Sequence, residues 1–199
     1  MVTKPQKQHY TIEEWVAIEK ATGIRHEYID GEIYAMSGGT LRHGEISGKV
    51  STALNNRLSG KGCHVYSSDV AVRISDTKYV YPDASALCGK PIPADDAETR
   101  LTNPTLVAEV VSKSSAYYDL GEKADYYFSV SSIQTYLVID QNKPHVRVYT
   151  KDEKSWSVVS YAGRDAIVPV PSLDIELCLS ELYLDIEFEP DFDPESEDE

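Results

Sequence analysis

Basic residues are scarce in this chain: 19 Lys and Arg face 33 Asp and Glu, a formal charge of −14. A protein that coats nucleic acid without regard to sequence needs a basic footprint to displace counterions, and the overall balance here offers none. The deficit is uneven. Asp185–Glu199 holds nine acids and no Lys or Arg, so the preceding residues carry only −5. With little to bury and much self-repulsion, 185–199 is expected to be a disordered, solubilising tail. Cysteine is scarce as well. Cys63, Cys88 and Cys178 are odd in number, widely spaced and set among apolar neighbours. That pattern argues against a disulfide framework or a zinc knuckle and predicts reduced core thiols. No apolar run approaches the ~20 residues of a membrane span, and Met1–Gln8 lacks a signal-peptide core, so a soluble, cytoplasmic protein is expected. Repeats and interdomain linkers are also missing. The 41% hydrophobic content is enough for one sizeable core, and residues 1–184 read as a single domain.

The local signals are well marked. Thr11-Ile12-Glu13-Glu14 is a capping box for a helix over 12–21 that Gly23 ends. Residues 25–29 and 32–36 flank Asp30-Gly31, a dipeptide suited to the positive φ angles of a hairpin turn. Ile46, Val50, Ala53, Leu54 and Leu58 recur at helical spacing after Leu41, with Gly60 and Gly62 as the stop. Two β-rich runs, 63–74 and 79–87, surround Ser75-Asp76-Thr77-Lys78 and predict a meander. A proline-bearing loop, 90–104, precedes an apolar central strand over 106–112. A helix over 114–130 follows, then strands over 134–140 and 145–150 and an edge strand over 156–161. Meander plus crossover predicts an α/β (α+β) fold, a mixed central sheet flanked by helices.

Two of these strands carry an acid each. Val80-Tyr81-Pro82-Asp83 and Val107-Ala108-Glu109-Val110-Val111 place carboxylates 26 residues apart inside otherwise buried runs. A carboxylate is costly to desolvate unless a cation, an arginine or hydrogen-bond donors compensate it. Were Asp83 and Glu109 on adjacent strands, both could approach one hard cation, Mg²⁺ by preference with Mn²⁺ as a substitute. Spacing alone leaves open that both acids sit at strand ends and merely touch solvent.

The segments YPDASALC, NPTLVAEVVSKSS, DLGEKADYY and HEYIDGEIYAMSGG, with a helix opening at His43, resemble the Uma-type family of bacterial restriction endonucleases in the PD-(D/E)XK nuclease superfamily. The resemblance spans residues 10–184. It implies a restriction-endonuclease-like core, divalent metal on Asp83 and Glu109, and hydrolysis of DNA phosphodiester bonds. The superfamily pattern asks for Lys two residues after the second acid, where this chain has Val111. Lys123 matches a lysine that family members carry in the next helix and is the implied substitute, the alternative being a solvated i,i+4 pair with Asp119. Lys113 is second choice.

Three further readings stay open on sequence grounds. Asp69 could be a third acid if it pairs with residue 83, and would face away if residue 70 does. His43 could move a proton or contact phosphate near a helix start, or be a surface histidine. Tyr117, Tyr118, Tyr126 and Tyr127 are assigned to packing rather than base stacking. The competing functional class is a catalytically silent nuclease-fold module that binds DNA or protein, with a homodimer as one form it could take; a third reading has the acidic tail itself as the interacting part.

Overall fold

The computed structural model describes residues 8–36, 38–96, 98–112, 115–153 and 155–188. Helix α1 (Ile12–Thr22) begins at the capping box: Thr11 Oγ1 accepts the Glu14 N–H at 3.2 Å, and the Glu14 carboxylate accepts the Thr11 N–H at 2.8 Å. Strands β1 (His26–Ile29) and β2 (Glu32–Ala35) form the expected hairpin, with Asp30 and Gly31 at φ 50° and 89°. Helix α2 (Leu41–Leu58) buries Ile46, Val50, Ala53, Leu54 and Leu58, and Thr40 caps its start by accepting the His43 N–H.

The expected meander divides between two sheets. Each β-rich run breaks once, giving β3 (Cys63–Ser67), β4 (Ala71–Ser75), β5 (Lys78–Val80) and β6 (Ala84–Cys88). The first break is a turn in which the Val70 N–H donates to the Ser67 carbonyl. The second falls at Pro82, which has no N–H to continue a ladder. The chain thus leaves the smaller sheet at Val80 and enters the larger one at Ala84, with Asp83 at the crossing. The remaining elements are β7 (Arg100–Leu101), β8 (Leu106–Val111), α3 (Ala116–Leu120), α4 (Glu122–Ser129), β9 (Thr135–Asp140), β10 (His145–Lys151), β11 (Trp156–Ala162), β12 (Ile167–Val170), a 3₁₀ turn at Pro171–Leu173, β13 (Ile175–Cys178) and α5 (Leu179–Leu182).

The larger sheet has the order β11-β10-β9-β8-β6-β3 and is mixed, since β8 and β9 are parallel. The smaller sheet has the order β2-β1-β5-β4-β7. Alternation along β8 separates two cores. Ala108 and Val110 face α2 and the β12–β13 hairpin, while Val107 and Val111 face Ala124 and Tyr127 of α4 and Val72 and Val80 of the smaller sheet.

Four expectations need correction or refinement. The helix expected over 114–130 is broken at Gly121 into α3 and α4; a Cβ there would lie 2.8 Å from the Tyr117 carbonyl oxygen. Cys63 and Cys88 are not reduced core thiols. They sit directly opposite each other on β3 and β6 and form a disulfide, leaving Cys178 free. Only the strand register reveals this pairing, since 25 residues separate the two in sequence. Strands β12 and β13 and helix α5 were not anticipated. Finally, the start of the expected acidic tail packs against the body: Ile186 is buried, and the Phe188 ring lies 5.6 Å from that of Tyr183 and 5.4 Å from the Arg164 guanidinium. Residues 189–199 lie outside the described residues. Among the described residues no helix is long and apolar enough to cross a membrane.

Gly121→Ala is expected to lower stability by about 1–3 kcal/mol, because the methyl group meets a backbone oxygen that cannot rotate away. Urea denaturation measures it; an unchanged midpoint would mean that the α3–α4 break relaxes freely.

Candidate active site

The β6–β8 ladder ends with Ala84 opposite Ala108, which brings Asp83, one residue earlier, abreast of Glu109. Asp83 is held from two sides. Its Oδ2 accepts the Val110 N–H at 2.7 Å, and its Oδ1 lies 3.0 Å from His43 Nε2 on the first turn of α2. A cleft of about 620 Å³ opens on this pair, with Arg25, Gly39, Gly44 and Ser47 among its walls. Another cavity, of about 560 Å³, is lined by Arg57, Lys61 and Cys178 at the opposite end of α2 and contains none of the expected site residues.

Glu109 lies deeper, on the β8 face turned toward α4. Its Oε1 accepts the Tyr127 hydroxyl at 2.6 Å and lies 2.7 Å from Lys123 Nζ. The same ammonium is 3.0 Å from Glu27 Oε1 on β1 and donates to the Tyr81 carbonyl at 3.4 Å. Glu27 is in turn oriented by the Tyr118 hydroxyl at 3.1 Å and the Tyr81 N–H at 3.3 Å. Lys123 and Glu109 are each only 5% exposed, so this is a desolvated network rather than the solvated helix pair with Asp119 that spacing allowed. Asp119 is itself buried, and Gly121 interrupts the helix between it and Lys123.

Burial dominates the electrostatics. It pushes the Glu109 carboxyl up to about 8; the Lys123 ammonium opposes that rise, while Asp83 and Asp119 add to it. Asp119 is raised for the same first reason, burial, with Lys123 again opposing. Desolvation would lower Lys123, but Glu109, Glu27 and Asp119 outweigh it and hold the ammonium above its ordinary value. The hydrogen bond to Asp83 raises His43 against the opposing pull of burial. Four carboxylates therefore face one ammonium and one imidazole. Carboxylate oxygens are the ligands that a hard divalent cation prefers. Among the described residues no group of three or more His, Cys, Asp or Glu side chains is placed to hold a metal ion, so a cation on Asp83 and Glu109 would take the rest of its shell from water and substrate.

Of the residues singled out in the sequence, Asp83, Glu109, Lys123 and His43 come together. Asp69 does not. It is exposed in the turn after β3, where it pairs with Arg25 and accepts from Ser67, so neither register considered for it occurs. Lys113 lies outside the described residues. Val111, at the position where the superfamily pattern has Lys, is buried in the core beside α4. Glu27, Asp119, Tyr118 and Tyr127 were missed as parts of the network. Glu27 carried only a weak signal, an acid between His26 and Tyr28 of a hairpin strand, and no local pattern links β1 to β8.

A family profile described as "Putative restriction endonuclease", Uma2, matches residues 12–185. The uncharacterized protein slr1290 of Synechocystis sp. is 34% identical over 179 residues, covering 88% of this chain and 92% of that protein. A second uncharacterized Synechocystis protein, sll1609, is 29% identical over 158 residues, covering 78% and 89%. The crystal structure of "a putative nuclease belonging to DUF820" from Anabaena variabilis matches with a TM-score of 0.68 at 19% identity, covering 87% of this chain and 97% of that one. At that identity the likeness is one of fold.

Two outcomes follow from the network. His43 is expected to titrate above its ordinary 6.5 in imidazole NMR spectra, and Asp83→Asn to lower it, because the Asp83 hydrogen bond that raises it most is weakened and its charge is lost, leaving only the smaller effects of Val110 and Asp119 against burial. The sign for stability is that the His43–Asp83 pair contributes fully below pH 6.5 and is lost as pH rises through the raised folded value. Lys123→Ala removes the counter-charge shared by Glu27 and Glu109 and should cost about 3–5 kcal/mol above pH 8, where Glu109 is ionised, and less in acid, where Glu109 is protonated. Denaturation at both pH values checks this; an equal loss at each would assign the effect to packing.

Proposed function

The chain belongs to the Uma2 restriction-endonuclease family, and from that membership we propose that it is a metal-dependent endonuclease hydrolysing DNA phosphodiester bonds. In this reading Asp83 and Glu109 hold Mg²⁺, or Mn²⁺ in its place, and Lys123 is the catalytic lysine. The observation that carries it is the Lys123 ammonium 2.7 Å from Glu109, arriving from α4 to the acid whose own strand offers Val111. A divalent ion held by Asp83 and Glu109 would supply Lewis-acid stabilisation of the scissile phosphate and lower the pKa of an attacking water.

The protein's own groups do the positioning. The Val110 N–H fixes Asp83 Oδ2, so the carboxylate keeps one orientation whether or not His43 engages its other oxygen. Tyr127 and Lys123 fix Glu109 in the same way. Lys123 holds positive charge where charge develops on the phosphate, which favours the transition state over the ground state. His43, part of the cleft wall and raised in pKa, is suited to hold or pass a proton at Nε2. Under this reading the protein acts on DNA in the cytoplasm, and a second copy of the chain is its macromolecular partner.

One observation favours the alternative of a catalytically silent module: Lys123 and Glu109 are buried and satisfied by Glu27 and Tyr127, as in a structural ion pair. Cleavage separates the two. Purified protein with supercoiled plasmid is expected to nick it in Mg²⁺ or Mn²⁺, and to lose the activity with chelator or in Asp83→Ala. Intact plasmid across both metals, from a folded protein that still binds DNA, would establish the silent module instead.

A further inference from the structure

The larger sheet ends on β11, and among the described residues no strand pairs with its outer edge. Exposed edges are normally blunted by charge, proline or a bulge. Trp156-Ser157-Val158-Val159-Ser160-Tyr161-Ala162 contains no charged residue and no proline, and its seven-residue register with β10 runs without a break. Val158 and Val159, one on each face, are 52% and 51% exposed.

The ladder also fixes which backbone groups point outward. At one end of the β10–β11 hairpin the Asp152 N–H donates to the Ser155 carbonyl, and at the other the Gly163 N–H donates to the Pro144 carbonyl. Since bonded and non-bonded pairs alternate in an antiparallel ladder, the odd-numbered residues of β11 bond β10. The N–H and C=O groups of Trp156, Val158, Ser160 and Ala162 therefore face away from the sheet.

We propose that a second copy of this chain adds antiparallel to β11 about a two-fold axis at Val159, making one continuous sheet across a homodimer. Opposed residues in an antiparallel pair share both side-chain face and bonding direction, so the axis must pass where a residue meets its own copy. Placed at Val159, it overlaps all seven residues. Trp156 meets the second copy's Ala162 and Val158 its Ser160, each such pair exchanging two hydrogen bonds, so every outward-facing group of the strand is satisfied. Val159 meets itself at the close, non-bonded position, where apolar β-branched side chains pack best. An unrelated strand would leave the register unspecified, whereas a copy sets it by symmetry. The interface does not depend on the nuclease reading.

Light scattering on the full-length chain, without DNA or metal, tests it from micromolar to near-millimolar concentration. The expected mass is twice the 22.2 kDa of one chain, returning to a single chain in Val159→Lys, whose unchanged far-UV dichroism shows that the half-exposed site tolerates the change. Register is read by cysteine pairing in a Cys178→Ser background with oxidised glutathione, which accepts the two electrons and leaves as two thiols. Val159→Cys should link two chains at least tenfold faster than Val158→Cys, whose sulfurs the symmetry keeps apart. A monomer throughout the range, a dimer indifferent to Val159→Lys, or equal linking by both cysteine variants would overturn the proposal. Dimerisation only after truncation at Phe188 would assign the edge to residues 189–199 instead.

Discussion

The Lys123 ammonium is the point on which the two sheets and the helical layer converge. It is carried by α4, pairs with Glu109 on the larger sheet and Glu27 on the smaller, and reaches the Tyr81 carbonyl in the segment that joins them. Each partner is costly to bury alone, and a buried charge left without its counter-ion is strongly destabilising. The position of α4 against both sheets is therefore set by charge as well as by Tyr127 and Ala124 packing. The ring hydroxyls of Tyr127 and Tyr118 complete the arrangement by fixing the carboxylate that each one touches.

The same interaction governs the chemistry open to the site. Burial is the main reason Glu109 is raised to about 8 despite direct contact with Lys123, and Asp83 and Asp119 add to the rise. Asp83 sits at the cleft, held by the Val110 N–H and His43, while Glu109 lies behind it. In the proposed reading these are the two residues that would hold a divalent cation, Asp83 at the cleft and Glu109 behind it. Stability and proposed catalysis thus share one set of residues, and substitutions at Lys123 act on both.

The chain's acidity acts differently on its two ends. Among the described residues three acids of the body, Glu27, Glu109 and Asp119, are buried. Those after Leu184 alternate with Ile186 and Phe188, which pack beneath Arg164 and Tyr183. Those two apolar side chains anchor the beginning of a segment whose composition reads as solvated throughout. Net charge describes solubility and long-range repulsion; it does not say where a chain stops packing.

The sequence by itself determined the local elements and the chemical candidates. The Thr11–Glu14 capping box, the Asp30-Gly31 hairpin, the apolar spacing of α2 and the strand acids Asp83 and Glu109 are all written within a few residues, because caps, turns and periodicity are short-range physics. Family resemblance added Lys123, which no spacing rule could tie to Glu109. Tertiary structure decided the rest. The apparent meander split between two sheets because Pro82 ends one ladder just before Asp83, Cys63 and Cys88 met because strand register placed them opposite, and Asp69 left the site because its turn paired it with Arg25. Glu27 joined Lys123 across strands distant in sequence, and a contact of that kind exists only once both sheets have closed on α4.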